Sequence, residues 1–436
     1  MLGIPDYLTH NWCWVTKKDV IMAAFKVWGQ DFYRTTSLSE IARELGVSKP
    51  AMYRHFVNKK ALFEDMFTFY IENFVSFVRE GYECAISEKD SRKSILIMTR
   101  TIVEYYIRNR EAFIFSLFRV FNSRYGEKIN NELRARGIDF RRLSDREKGD
   151  ISHPSKIFLI VTTLIFCIAQ YHRLIKESGE ISTDDLIKST IIQVESWVTG
   201  GLNLDASKVA ALDYSELEKR MQGTVYEETE NNALLKAVAW AVAEAGPWDA
   251  SMEMVAKHSG ISKSGLYAHF KNKQDMLMQL FMTEFTRIVD FAKMQIETTE
   301  EAEEQLYLAI ISIVDYLKSR PEILVALEWI KTGRLELGNE MTLRLYTIIQ
   351  SLKLEAIQNF NKNLLVWIAQ WILFLIVNTL TIQPKNYGKN QQNEALSFIG
   401  MEKSKDWAKN IIDIPNESFR ILFRFIALGL GGLNNN

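Results

Sequence analysis

The sequence predicts an all-α protein built from two related halves, and three observations support this fold class. A stretch at positions 48–59 returns 214 positions later at 262–273, with seven of its twelve residues identical. The 436 residues include only seven prolines, and few segments alternate β-branched with polar side chains. Each copy also shows a helix, a tight turn and a second short helix, the pattern of a helix-turn-helix. A repeat at this distance indicates a duplicated domain.

Composition places the chain among ordinary soluble proteins, with 47% apolar and 25% charged residues and a net charge of −1. Its three cysteines, Cys13, Cys84 and Cys167, are scattered without metal-binding spacing, which is typical of a reducing cytoplasm. The N-terminus lacks the pattern of a secretion signal. No phosphate-binding glycine loop, paired-histidine metal helix or nucleophile elbow occurs, so we expect neither an enzyme nor a cofactor.

The first helix-turn-helix follows directly from local sequence chemistry. Apolar residues between positions 20 and 28 share one helical face. Ser37 is a good N-cap and Glu40 completes a capping box, which starts a second helix that Gly46 ends. Ser48 caps the third helix, and a proline in its first turn costs little because that N–H has no helical partner.

The spaced residues of both copies resemble the DNA-binding signature of the TetR family of transcriptional regulators over about fifty residues each. In copy one the matching elements are Ala23-Ala24, Val27-Trp28, Thr36-Ser37, Ile41-Ala42, Gly46-Val47-Ser48, Met52-Tyr53, His55-Phe56, Lys59 and Leu62. In copy two they are Ala237-Val238, Gly246, Ser251, Val255-Ala256, Gly260-Ile261-Ser262, Leu266-Tyr267, His269-Phe270 and Lys273. Copy one departs from the pattern at Phe32, where the family usually carries glycine. The resemblance implies a DNA-binding head followed by a helical ligand and dimerisation core in each half.

By this resemblance, the equivalent Tyr, His and Lys of each head contact the DNA backbone, while the exposed start of the third helix reads bases. The candidate DNA-binding residues are Thr36, Ser37, Ser48, Lys49, Pro50, Ala51, Tyr53, Arg54, His55 and Lys59 in the first head, and Ser251, Ser262, Lys263, Ser264, Gly265, Tyr267, His269 and Lys273 in the second. The base-reading positions differ between the heads. An alternative is that the two tyrosine rings are core residues.

Local charge separates the two heads. Positions 16–63 contain nine basic and four acidic residues, a net charge of +5, whereas the equivalent positions 230–277 contain five of each. Phosphate neutralisation supplies much of the affinity for DNA, so we expect the first head to bind more strongly. The alternative is that the second head is retained with little DNA contact left.

Aromatic residues crowd the first core, and a small-molecule effector could stack among them. The candidate ligand-binding residues are Tyr105, Tyr106, Phe113, Phe118 and Phe121. Aromatic side chains at this spacing also occur as plain core.

Two very apolar stretches, 157–169 and 364–382, occupy corresponding places in the two halves. The second nearly reaches the length of a membrane span, but the paired occurrence favours helices buried between the halves. The motif Gly-Gly-Leu-Asn closes both halves, at 200–203 and 431–434. In the family that the chain resembles, a four-helix interface joins two subunits, so the resemblance implies that the final helices of both halves supply this interface within one chain. We expect no membrane partner.

We divide the chain into a first head (1–65), a first core (66–205), a polar linker (206–229), a second head (230–280) and a second core (281–436) that includes a polar insertion at 383–415. The predicted protein is a monomeric pseudo-dimer acting as a transcriptional regulator, by resemblance a repressor. Its expected partners are a double-stranded DNA operator without palindromic symmetry and a small-molecule effector. The alternative is a sensor or protein-interaction module in which one or both heads have lost DNA binding.

Overall fold

The computed structural model describes residues 15–30, 37–117, 123–143, 153–178, 182–221, 230–245, 250–328, 339–381 and 414–433. Within these ranges the protein is all-α, as the sequence predicts, and no strand occurs. The first half comprises α1 (Lys17–Gln30), α2 (Leu38–Glu44), α3 (Lys49–His55), α4 (Lys59–Ser87), α5 (Ser91–Arg108), α6 (Arg110–Phe115), α7 (Ser123–Ala135), α8 (His153–Ser178) and α9 (Thr183–Gly200).

The second half repeats this order. After α10 (Ala206–Ala210) and α11 (Tyr214–Met221) come α12 (Glu230–Ala245), α13 (Met252–Ser259), α14 (Lys263–Leu266), α15 (Lys273–Ile296), α16 (Ala302–Ser319), α17 (Pro321–Glu328), α18 (Asn339–Ser351), α19 (Lys362–Thr381) and α20 (Asn416–Leu428). Short 3-10 segments lie at Phe140–Leu143, Glu355–Ile357 and Gly429–Leu433. Helices α4 and α15 each start in a head and continue into a core, so a rigid element joins the two parts of each half. Nearly all of the insertion at 383–415 lies outside the described residues.

The halves pack against each other through α8, α9, α19 and α20. Trp371 is fully buried there and stacks on Trp197, with ring centroids 4.4 Å apart. Its indole N–H donates to the Thr163 hydroxyl at 3.1 Å, and the Gln170 amide donates to Gln370 at 2.7 Å. These contacts explain both apolar stretches. Lys156–Arg173 and Lys362–Thr381 have the length and hydropathy of membrane spans, yet most of each is buried inside the protein.

The ends of α9 and α20 meet at glycines. Gly201 and Gly429 follow these helices with φ of +59° each, and a Cβ on either would lie within 2.5 Å of backbone atoms of the other half. The repeated Gly-Gly-Leu-Asn motif suggests that Gly201 corresponds to Gly432. In the structure the counterpart of Gly201 is instead Gly429, because these two glycines are the residues that directly follow α9 and α20.

Within the predicted linker, α11 docks on the second core. The Glu218 carboxylate accepts hydrogen bonds from the Tyr307 hydroxyl at 2.6 Å, the Asn416 amide at 3.0 Å and two Arg420 nitrogens at 2.9 and 3.1 Å. Burial raises the pKa of Glu218, but the donors, Arg420 foremost, outweigh it and hold the pKa below its usual range. A single carboxylate thus fixes α11 to both α16 and α20.

Replacing Glu218 with glutamine should lower the free energy of unfolding near neutral pH by about 2 kcal/mol, because a partly buried charged acceptor is lost. A depressed pKa means that this contribution is present above the unfolded-state value of about 4.3 and disappears as pH falls through the folded-state pKa. Urea titrations should therefore show a difference in the free energy of unfolding between variant and parent that is smaller at acidic than at neutral pH. The control is Glu216→Gln, an exposed residue of the same helix, for which we expect a change within about 0.5 kcal/mol. Equal effects of the two variants would contradict the anchoring role of Glu218.

Candidate nucleic-acid interface

The first head is assembled by side-chain caps. The Ser37 hydroxyl accepts from the Glu40 amide at 3.3 Å, and the Glu40 carboxylate accepts from the Ser37 amide, which completes the predicted capping box. The Ser48 hydroxyl accepts from the Ala51 amide at 3.4 Å. Since a hydroxyl that accepts can still donate, the Ser48 O–H can donate to a phosphate oxygen. The Ser37 hydroxyl also contacts the Glu40 carboxylate. Caps therefore place these candidate contacts at the exposed starts of α2 and α3.

The third helix of the first head presents a polar surface to solvent. Lys49, Pro50, Tyr53 and Arg54 are exposed, and the only buried residue of α3 is Met52. Among the described residues, no carboxylate pairs with Lys49 or Arg54. Two cations and one aromatic hydroxyl are thus available on one short helix.

The flanking candidates lie beside this helix. Ala51, His55 and Lys59 are half-buried. Lys59 is the first residue of α4, and its Nζ lies 6.0 Å from the centroid of the Trp28 ring in α1. A helix N-terminus favours an anion, which suits a phosphate contact at Lys59. Thr36 lies outside the described residues.

The second head repeats these caps. The hydroxyls of Ser251 and Ser262 accept from the amides of Met254 at 3.3 Å and Gly265 at 3.1 Å. Asn272 caps α15 as Asn58 caps α4, which accounts for the asparagine in both copies of the repeat. Gly46 and Gly260 both adopt positive φ, of +66° and +71°, at the turn between the second and third helices.

The third helix differs between the heads. Helix α14 spans four residues and α3 seven, and beyond Leu266 the chain continues as turns. Glycine is a poor helix former, so Gly265 in place of Ala51 shortens the helix. Ser264, Tyr267 and His269 are exposed, whereas Gly265 and Lys273 are half-buried.

The exposure of Tyr53 and Tyr267 decides whether their rings belong to the core. The exposed fractions of Tyr53 and Tyr267 are 43% and 51%, so neither ring is a core residue. The buried aromatic residue of each repeat is instead Phe56 or Phe270, at 2% exposed. Both tyrosine hydroxyls are therefore in reach of an external partner.

An ion pair that the sequence analysis missed lies at the second recognition helix. The Glu253 carboxylate of α13 pairs with the Lys263 ammonium at the start of α14. This contact holds the pKa of Glu253 below and that of Lys263 above the ordinary value. The residue equivalent to Glu253 in the first head is Ser39, and comparing the two copies position by position reveals this difference in charge.

The predicted effector residues Tyr105, Tyr106 and Phe113 are buried and in mutual ring contact, with centroids 5.1 and 5.5 Å apart. The Tyr106 and Tyr70 hydroxyls lie 2.6 Å apart. Phe118 and Phe121 lie outside the described residues. These contacts form the aromatic core of the first half, and a ligand-binding role stays a prediction.

At the position of Tyr70 the second core carries Glu284, which is 1% exposed. It accepts hydrogen bonds from the Tyr316 hydroxyl at 2.6 Å, Arg287 at 2.9 Å and Arg320 at 3.3 Å. Arg320 also donates to Glu322 at 2.8 Å. The two cores therefore differ chemically at this position, with paired tyrosine hydroxyls in the first and an ionic cluster in the second.

The model of the family "Bacterial regulatory proteins, tetR family" matches the chain twice, at residues 20–66 and 235–280. Both heads are TetR-family domains. These matches cover α1 to the start of α4 and the equivalent helices of the second half. The family consists of regulatory proteins, in agreement with the expectation that the chain is not an enzyme.

Two curated relatives resemble the chain over part of its length. The fatty acid metabolism regulator protein of Bacillus subtilis (strain 168) is 29% identical over 77 residues, which are 18% of this chain and 40% of that protein. The nucleoid occlusion factor SlmA of Aliivibrio fischeri (strain MJ11) is 34% identical over 71 residues, 16% of this chain and 35% of that protein. The matches thus span well under half of each relative.

Among solved structures, the TetR family transcriptional regulator PfmR from Thermus thermophilus matches 41% of this chain and 100% of its own, at 14% identity and a TM-score of 0.26.

Proposed function

We propose that this protein is a cytoplasmic DNA-binding regulator, by family resemblance a repressor, that uses two non-identical TetR-type heads on an operator without palindromic symmetry. The observation that carries this proposal is the pair of heads with different exposed side chains, joined in one chain through a buried interface. A symmetric homodimer carries identical heads and reads matching half-sites. In this chain Pro50 and Arg54 face DNA in one head, and Ser264 and Ala268 occupy the equivalent exposed positions in the other.

The single chain supplies both heads, so we propose that a monomer suffices for binding. The buried contacts of α8 and α9 with α19 and α20 occupy the faces through which two subunits would otherwise pair. Half-site centres should lie about 34–36 Å apart or at a multiple of the helical repeat.

Effector control is supported by an unsatisfied buried group in the first core. The His172 Nε2 lies 2.9 Å from the Tyr106 carbonyl, which only accepts, so Nε2 carries the proton. Burial lowers the pKa of His172 to about 4, so the ring is neutral near pH 7. Its Nδ1 is then a buried acceptor with no partner among the described residues. We propose that an aromatic effector with a hydroxyl or N–H donor binds there and that effector and DNA binding oppose each other.

Selection of bound sequences from random duplex DNA with the intact chain tests the operator. We expect two dissimilar half-sites at fixed spacing. Arg54→Ala should then weaken binding by about 10- to 100-fold and relax specificity at one base pair, because arginine reads guanine through two hydrogen bonds. Lys188→Ala, an exposed α9 residue that carries the same charge, is the matched control. A palindromic consensus would contradict the asymmetric operator, and no enrichment at low salt would favour a protein-interaction module.

A further inference from the structure

An ion pair beside the third helix of head two has no counterpart among the described residues of head one. Glu253 lies in the first turn of α13, and Lys263 is the first residue of α14, ten positions later. Both side chains are more than half exposed, so their pairing contributes little to folding. At the equivalent positions head one has Ser39 and Lys49, and no carboxylate of the described residues holds that lysine.

Lys263 is one of few cations on the DNA-facing side of head two. Its counterpart Lys49 is accompanied by Arg54, whereas the position equivalent to Arg54 is Ala268. A carboxylate next to Lys263 therefore engages the main cation of α14 and adds a negative charge near the DNA phosphates. Both effects oppose phosphate binding.

We propose that Glu253 sets the inequality of the two heads by engaging Lys263, so that head two binds DNA only where DNA displaces this carboxylate. This inference rests on the proposed DNA-binding function. The phosphate and Glu253 compete for one ammonium group, which makes head two the weaker and less salt-sensitive partner on the operator. Head one binds first, and the fixed interface then brings head two to the second half-site at high effective concentration.

Glu253→Gln keeps the size of the side chain and removes its charge. Each additional phosphate contact steepens the dependence of log affinity on log salt concentration by about 0.9. If the contact contributes nothing at about 1 M salt, it raises the affinity about eightfold at about 0.1 M. We expect this gain, and a salt slope steeper by about one, in anisotropy titrations of a labelled duplex carrying the selected operator. The reciprocal variant Ser39→Glu should reduce affinity and shallow the slope by the same amount, since it places a carboxylate beside Lys49.

Two controls separate this role from a general charge effect. Glu83→Gln removes the same charge from the exposed surface of α4, 24 residues and about 36 Å from its start, and should leave the slope unchanged. In a Lys263→Ala background the gain from Glu253→Gln should largely vanish, because the cycle isolates the coupling between the two side chains. Thermal unfolding of each variant verifies that the heads remain folded.

The outcomes separate the inference from the function on which it rests. Absence of DNA binding by the parent chain would overturn the proposed function itself. DNA binding by the parent with no change in affinity or slope for Glu253→Gln would overturn only the role of Glu253. An equal gain with and without Lys263 would show that Glu253 acts on DNA by simple repulsion and would also overturn it.

Discussion

Truncating Trp371 to alanine should lower the free energy of unfolding by about 3–5 kcal/mol, one of the largest single effects in the chain. The side chain is fully buried between the halves, where it stacks on Trp197 and donates to Thr163 at 3.1 Å. Alanine removes the ring contact, leaves a cavity and deprives the Thr163 hydroxyl of a donor. Chemical denaturation followed by circular dichroism measures the change.

A second tryptophan of the same helix provides the control. Trp367 is only partly buried and meets Tyr171 at a ring-centroid distance of 5.6 Å. Its truncation removes less buried surface and should cost about 1–2 kcal/mol. Equal costs for the two tryptophans would contradict a central role of Trp371 in joining the halves. Trp371→Phe should be intermediate, since the stack is partly retained and the hydrogen bond is lost.

Under the proposed function the interface should also affect DNA binding, because it joins the two halves that carry the heads. A chain with Trp371→Ala that remains folded should tolerate a wider range of half-site spacings in the selection experiment, at lower affinity. A preorganised arrangement of the heads reduces the entropy lost on binding, and a loosened interface increases that loss.

The heads could be predicted from sequence because short-range chemistry builds them. Ser37 caps α2 through a residue three positions away, and Gly46 adopts the positive φ that ends the turn. Such features depend on neighbours in the chain, so the helix boundaries, the caps and the exposed face of α3 follow from local patterns. The buried rings of the first core follow likewise from hydrophobic spacing.

Contacts between distant segments could not be predicted in this way. Glu284 replaces Tyr70 at an equivalent position, and only the packing of α15 against α16 and α17 gives it Tyr316 and Arg320 as partners. The pairing of Glu253 with Lys263 was hidden for a related reason. A net charge over a window treats both residues as independent, whereas their pairing depends on how α13 meets α14. Similarly, the sequence predicts a polar linker at α11, and only the structure shows that Glu218 of this helix contacts Arg420.

Gly201→Ala should lower the free energy of unfolding by about 4 kcal/mol, because Gly201 lies against the backbone of the other half. The residue has φ of +59° and ψ of −127°, an extended conformation of positive φ that glycine adopts readily and that costs alanine about 1–3 kcal/mol. Its Cβ would also lie 2.3 Å from the Ile426 carbonyl oxygen, so the two backbones must separate. Separation strains the hydrogen bonds from the Leu202 amide to Ile426 at 2.8 Å and from the Leu204 amide to Ala427 at 3.1 Å, each worth about 1 kcal/mol.

Gly46→Ala measures the cost of positive φ at a site where no neighbouring atom obstructs the new side chain. That glycine has a similar φ of +66°, but no atom lies within 4 Å of the added methyl group, so only the cost of positive φ remains. Urea midpoints should therefore rank the parent above Gly46→Ala and Gly46→Ala above Gly201→Ala. If the two alanine variants were equally stable, the close approach of α9 to α20 would be wrong. Under the proposed function, a change in the packing of the two halves should also shift the preferred half-site spacing of Gly201→Ala. Gly46→Ala lies within one head, so it should weaken one half-site and leave the spacing unchanged.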